Sequence, residues 1–476
     1  MKLKFLRIVI FICLTLTITY YFRGANNLKA EINKPNIIVI LADDLGWNDV
    51  GFHGSEIKTT NLDKLAVSGV RLERFYVKAM CTPTRAAFLT GRHPFRYGMS
   101  AINVTPWSET GLPLEEKTIA ETLKEAGYYT AILGKWHLGH YQESYLPTSR
   151  GFDYHYGHYL AGIDYFTHKS GDGLDWHRNN NPVYIEGYST DLIAQDAVQL
   201  INNHDYHKNP LFLYIAFNAP HIPLQAKAED LEDYLTIEDE QRRLFAAQVQ
   251  SMDEAIGSII QSLQAKQVWN NTLLVFTSDN GGEIVANDIR FTGRGDNRPL
   301  RGGKRNLYEG GVRVPTIISY PGHLSSGKTV EQMFSIVDLY PTFAKLAGLK
   351  INQEQQIDGV DILESIAEKN TNRDELLIQY RDTSAAIIKG DYKLIKNGFD
   401  PFPIPYYDSW ELFNIKDDPL ETHNLVHSEP DKVAAIEKIL EQYEGKVKPA
   451  IAQSKPADFV VPKIWSPEYL QNNQRY

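Results

Sequence analysis

Four apolar runs, each ending in a cluster of polar residues, constrain this 476-residue chain more than any other feature. Asn36-Ile37-Ile38-Val39-Ile40-Leu41 runs into Asp43-Asp44, and Tyr128-Tyr129-Thr130-Ala131-Ile132-Leu133 into Gly134-Lys135-Trp136-His137. Leu211-Phe212-Leu213-Tyr214-Ile215-Ala216 runs into Asn218, Pro220 and His221. Leu273-Leu274-Val275-Phe276-Thr277 runs into Ser278-Asp279-Asn280-Gly281-Gly282. A run without polar alternation suits a strand buried on both faces, as in a parallel sheet covered by helices. Helical patterns lie between the runs. Lys117 to Ala126 sets Ile119 and Leu123 four apart and stops at Gly127. Arg242 to Lys266 puts Met252, Ile256, Ile259 and Leu263 on one stripe.

This alternation predicts an α/β fold: a large mixed, mostly parallel sheet covered by helices on both faces. Ligands of such sheets bind beyond the carboxyl ends of the strands. That rule brings Asp43, Asp44, Lys135, His137, His221, Asp279 and Asn280 to one rim. Beyond residue 345 the texture changes. Residues 385–395 read as two short strands around a Gly-Asp turn, Trp410 to Phe413 as a further strand, and Asp431 to Tyr443 as a helix. The expected division is a catalytic α/β domain over 31–345 and a smaller C-terminal α+β domain over 346–476 with a short antiparallel sheet.

The first thirty residues differ from the rest. Lys2, Lys4 and Arg7 precede an apolar stretch, Ile8 to Phe22, and Ala25 or Ala30 could end a cleavage site. This is the layout of a signal peptide over residues 1–30, and the run is short for a spanning helix. The expectation is export to the periplasm or beyond without stable membrane insertion, a retained N-terminal anchor being the alternative. A net charge of -10 excludes the basic footprint of a nucleic-acid binder. A local basic pocket for a small anion stays compatible with it. Of two cysteines, Cys13 falls in the leader, so Cys81 would stand alone in the mature chain. A lone cysteine in an exported chain is either a small buried hydrophobe or a reactive group.

Cys81 opens the segment Cys81-Thr82-Pro83-Thr84-Arg85-Ala86-Ala87-Phe88-Leu89-Thr90-Gly91-Arg92. It resembles the signature of the type I sulfatases, Cys-x-Pro-x-Arg followed by Thr-Gly. The resemblance runs from about residue 34 to about 430 through Asp43-Asp44, Gly134 to Gly139, Pro220 to Pro223, Asp279 to Gly282, Arg301 to Lys304 and Glu411 to Pro419. Gly151 to Tyr154 and Glu309 to Pro315 are similar to the arylsulfatase B-like branch.

The resemblance implies the alkaline phosphatase superfold and a Cys81 oxidised by a formylglycine-generating maturation enzyme to 3-oxoalanine (Cα-formylglycine). It implies one Ca2+ per chain, held by Asp43, Asp44, Asp279 and Asn280 with the modified Cys81. Oxygen donors of this kind are those that hard cations prefer. Arg85, Lys135 and Lys304 would surround the sulfate and the formylglycine hydrate. His137 would take the proton that leaves during sulfate release, and His221 would donate to the departing oxygen, with Asp279 assisting the nucleophile. The implied substrate is a sulfated carbohydrate. Residues 154–178, rich in Tyr, His and Asp, are either a sugar-facing surface or a loop with ordinary packing. Two rival functions remain at this level: a phosphate or phosphonate monoester hydrolase of the same superfold, and a non-catalytic glycan-binding protein on a sulfatase scaffold.

Overall fold

The computed structural model describes residues 34–472 except 101–102, 285–292, 352–354, 369–372, 381–383, 398–408, 444 and 452. The signal peptide expected over residues 1–30 lies outside the described residues. All four apolar runs are strands. In chain order the large sheet contains β1 (Asn36–Ala42), β2 (Val70–Tyr76), β3 (Tyr129–Lys135), β4 (Tyr154–His158), β5 (Leu211–Ala216), β6 (Thr272–Ser278), β7 (Ile317–Ser319) and β8 (Lys328–Ser335). With two two-residue strands, His177–Arg178 and Asn181–Pro182, beyond β4, they form one ten-stranded sheet in the order β8-β2-β7-β6-β1-β5-β3-β4. β1 pairs in parallel with β5 and β6, and β3 with β5 and β4. β7 runs antiparallel to both its neighbours, which makes the sheet mixed.

Burial on both faces explains why these segments are strands. Ile37, Val39 and Leu41 pack with α1 (Cys81–Thr90), α2 (Ile119–Glu125) and, through Tyr340 and Phe343, the helix Leu339–Leu346. Ile38, Ile40 and Ala42 pack on the other face with α3 (Ser189–Asn203) and α4 (Glu240–Ala265). Each fully buried aliphatic side chain stabilises by about 1.5–3 kcal/mol relative to exposure. Side-chain caps set the helix starts. Thr118 and Glu121 form a capping box at α2, and Asp239 accepts from the Gln241 and Arg242 amides at α4. A single turn, α5 (Glu309–Val312), follows the glycine-rich loop after β6, and Leu339–Leu346 is α6.

A second, antiparallel sheet of four strands follows: β9 (Glu375–Tyr380), β10 (Ala385–Lys389), β11 (Tyr392–Lys396) and β12 (Trp410–Asn414). Its hairpin turns at Gly390, φ 60, as the Gly-Asp pair predicts. α7 (Pro430–Leu440) covers it through Ile436 and Leu440. The chain then returns to the large unit. Lys448 donates to Phe95 O at 2.8 Å, Trp107 Nε1 to Gln453 O at 2.8 Å, and Leu174 to Lys463 O at 2.9 Å. No helix among the described residues is long and apolar enough to cross a membrane.

Candidate active site

The strand ends deliver the acids. Asp43 and Asp44 follow β1, Asp279 and Asn280 follow β6, and Lys135 is the last residue of β3. Backbone bonds tie the end of β1 to both its neighbours at this point: Asp43 donates to Ala219 O, beyond β5, and Asp279, beyond β6, donates to Ala42 O. Asp44 sits at φ 69 and His137 at φ 59, left-handed conformations that only surrounding structure sustains in residues with a side chain. Cys81 opens α1, where first-turn amides have no partner within the helix.

Three carboxylates meet three cations there. Lys135 Nζ donates to Asp43 Oδ2 at 2.5 Å, Lys304 Nζ to Asp44 Oδ2 at 2.7 Å, and Arg85 to Asp279 Oδ2 at 2.8 Å. Cys81 Sγ lies 3.5 Å from Asp43 Oδ1. One ligand atom from each of Asp43, Asp44, Cys81 and Asp279 lies within 4.8 Å of all the others. Asn280 Nδ2 donates to Asp44 Oδ1, whereas its Oδ1, although buried, has no hydrogen-bond partner. An orphaned amide oxygen beside three carboxylates fits a hard cation, which takes oxygen donors.

Burial raises Asp279 above the usual carboxylate range, and the negative charge of Asp43 adds to it, with Arg85 opposing. Burial would raise Asp44 too, but Lys304 and His221 outweigh it and hold that group well below its ordinary value. The Cys81 thiol is pushed far up by burial and then by Asp279. A thiol so placed is a poor nucleophile, since the thiolate is the reactive form.

The two histidines differ. His137 Nε2 contacts Val104 O at 3.1 Å, and a carbonyl only accepts, so Nε2 carries the proton and Nδ1 keeps a bare lone pair. That Nδ1 is buried without a partner. Burial, with Lys135 and Arg85 nearby, keeps this imidazole neutral well below its usual range. His221 donates through Nδ1 to Ile222 O at 2.6 Å and turns Nε2 toward Asp44 at 3.7 Å. Burial and Lys304 bring it down to about 4. All the residues expected at the rim therefore share one site, together with Cys81, Arg85 and Lys304. Val104 and Asn103, whose Oδ1 accepts the Thr82 amide, also shape it. A backbone carbonyl leaves no mark in sequence, so Val104 had no signal.

Within residues 154–178 the outer positions Phe166, Thr167, Lys169, Asp172 and Arg178 are exposed, whereas the histidines are not. His155, His158, His168, Asp175 and His177 are all buried. Tyr159 stacks between His155 and His177, with centroids at 5.3 and 4.1 Å, and Asp175 accepts the Tyr159 and Leu160 amides. Rings stacked in this way pack as aromatic core.

Carboxylates, cations and imidazoles gathered at the strand ends of an α/β sheet suit a hydrolase of anionic esters. Residues 35–349 match the family model described as Sulfatase, and residues 302–448 the model described as N-sulphoglucosamine sulphohydrolase, C-terminal. The chain is 42% identical over 347 residues to arylsulfatase J of Mus musculus, a match that spans 71% of this chain and 57% of that protein. It is 34% identical over 381 residues to N-acetylgalactosamine-6-sulfatase of Homo sapiens, spanning 75% of this chain and 71% of that one. The solved structure of Ps i-CgsB in complex with k-i-k-neocarrahexaose is similar with a TM-score of 0.78 at 34% identity, covering 87% of this chain and 94% of that one. The chain belongs to the sulfatase family of sulfuric ester hydrolases.

Proposed function

We propose that the chain is an exported, calcium-dependent sulfatase that removes sulfate esters from a sulfated carbohydrate, with a formylglycine made from Cys81 as its nucleophile. The observation that carries this reading is the position of Cys81 inside the acid cluster, its Sγ in reach of Asp43, Asp44 and Asp279 at once. As a thiol it can neither ionise readily nor sit comfortably among carboxylates. As an aldehyde hydrate it would supply one hydroxyl to attack sulfur and a second whose deprotonation expels sulfate. Asp43, Asp44, Asp279 and Asn280 would hold the cation, and calcium, when bound, polarises the sulfate oxygens and acidifies the attacking hydroxyl.

The chain's own groups fill the other roles. Three cations already balance three carboxylates, so a divalent ion leaves the site net positive and suited to an anionic ester. Lys135 and Lys304 reach the substrate's sulfate oxygens, and Arg85 orients Asp279 and the hydrate. His137, with a bare Nδ1, accepts the proton during sulfate release. His221, whose Nδ1 proton is committed to Ile222 O, would have to take up a second proton on Nε2 before handing it to the departing sugar oxygen. Relatives named for N-acetylgalactosamine-6-sulfate chemistry and a neighbour solved with a neocarrahexaose support a carbohydrate substrate.

The test is hydrolysis of an aryl sulfate and an aryl phosphate by the purified, matured protein. Sulfate release that a chelator abolishes and calcium restores is expected. A clear preference for the phosphate would move the chain to the rival monoester hydrolases. Tight binding of sulfated glycan with no sulfate released would make it a binding protein.

A further inference from the structure

A buried charge cluster lies behind the site, made by groups that none of the roles above uses. Lys393, on β11 of the small sheet, is fully buried. Its Nζ lies 2.9 Å from Glu309 Oε1 and 2.8 Å from Glu421 Oε1. Glu421 Oε2 accepts the Glu309 amide at 2.7 Å, and Glu309 Oε2 accepts from the Tyr76 hydroxyl at 3.0 Å with Arg313 at 3.5 Å. Both carboxylates are excluded from water. A buried ion pair is a weak source of net stability, since desolvation offsets the attraction, so its best-attested use is to fix one geometry.

The geometry fixed here is that of α5. Gly311 O accepts the Gly281 amide at 3.0 Å, and a Cβ on Gly281 would meet Gly310 O at 1.8 Å. Gly281 follows Asn280 directly, and its own carbonyl accepts from Asn280 Nδ2 at 2.9 Å. The Gly310 amide donates to Arg301 O, and the Lys304 amide donates to Gly282 O at 3.1 Å. α5 thus backs both the Asn280 turn and the loop that carries Lys304.

We infer that Lys393 is a positioning residue: by holding Glu309 and Glu421 it locks α5, and through α5 it aims Asn280 and Lys304 from the C-terminal sheet. The inference rests on the calcium reading above for its calcium-affinity readout only. In the matured full-length protein, Lys393→Met is expected to weaken calcium binding, measured by titration calorimetry of the chelator-stripped protein, roughly tenfold. Deuterium uptake should rise in peptides covering 279–284 and 301–312, and kcat on an aryl sulfate should fall with KM little changed. Should Lys393→Met fail to fold, Glu421→Gln keeps the Lys393–Glu309 pair and is expected to shift calcium affinity and deuterium uptake in the same direction, by less. A variant that melts earlier yet keeps wild-type calcium affinity and wild-type exchange in those peptides would overturn the proposal. Failure of the wild type itself to bind calcium would strike the function reading, and the exchange measurement would still decide this one.

Discussion

Arg85 aims two donors at a single oxygen of Asp279: Nε at 3.1 Å and Nη2 at 2.8 Å both reach Oδ2. Oδ1 is left facing the Asp44 amide at 3.3 Å, on the side of the acid cluster. The guanidinium therefore decides which oxygen of Asp279 is offered inward. Removing it strands a buried carboxylate, so Arg85→Met should cost about 3–5 kcal/mol of stability and abolish turnover. Arg85→Lys keeps the charge without the planar fork and should keep most of the stability with little of the activity. Calorimetric melting and sulfate release measure both, and an active Arg85→Met enzyme would contradict this role.

Asn280 offers the cluster an oxygen that makes no hydrogen bond. Asn280→Ala should weaken calcium binding by at least about tenfold while changing the stability of the metal-free protein by only about 1–3 kcal/mol, the worth of its bonds to Asp44 and to Gly281 O. Titration calorimetry with calcium separates the two effects. Unchanged affinity would show that this oxygen is not a ligand.

The histidines should fail in different ways. If His137 Nδ1 receives the proton that accompanies sulfate release, His137→Ala should give a burst of about one equivalent of the phenol and then stall. If His221 supplies the proton to the departing oxygen, His221→Ala should slow the burst itself, and least for phenols acidic enough to leave unaided. Stopped-flow kinetics on a series of aryl sulfates reads both. Identical behaviour of the two variants would refute the division of labour.

Stability should depend on pH through Lys78, which is buried between the two sheets and donates to Ile378 O at 2.6 Å. Burial brings its ammonium down from 10.5 to about 7. Above about 7 the folded chain has lost this proton while the unfolded chain retains it up to 10.5, so unfolding takes up a proton and stability rises with pH. Its neighbour His93 is held at about 3 and does not titrate in that window. Lys78→Met removes the effect, so its melting temperature relative to wild type should be most favourable below pH 7 and decline toward pH 9. A difference independent of pH would contradict this account.

Much of this molecule is legible in its sequence because the large sheet is buried on both faces, and double burial leaves an unbroken apolar run for a reader to find. The polar residues that end those runs announce the rim for the same reason. What stays hidden depends on partners far away in the chain. Lys393 shares a strand face with the buried Ile395, but nothing near it in sequence shows the two carboxylates, 84 residues earlier and 28 later, that pair with it there. His155 and His177 look like surface chemistry until Tyr159 is seen stacked between them. The return of the chain to the large unit after residue 448 relies on backbone bonds such as Lys448 to Phe95 O, which no side-chain pattern encodes.

The most direct measurement is mass spectrometry of the Cys81 peptide from protein purified from its own host and shown to release sulfate. Replacing the thiol by an aldehyde lowers the peptide mass by about 18 Da, and active protein should carry that species. A Cys81 found wholly as the free thiol in protein that still cleaves sulfate esters would contradict the account at its centre.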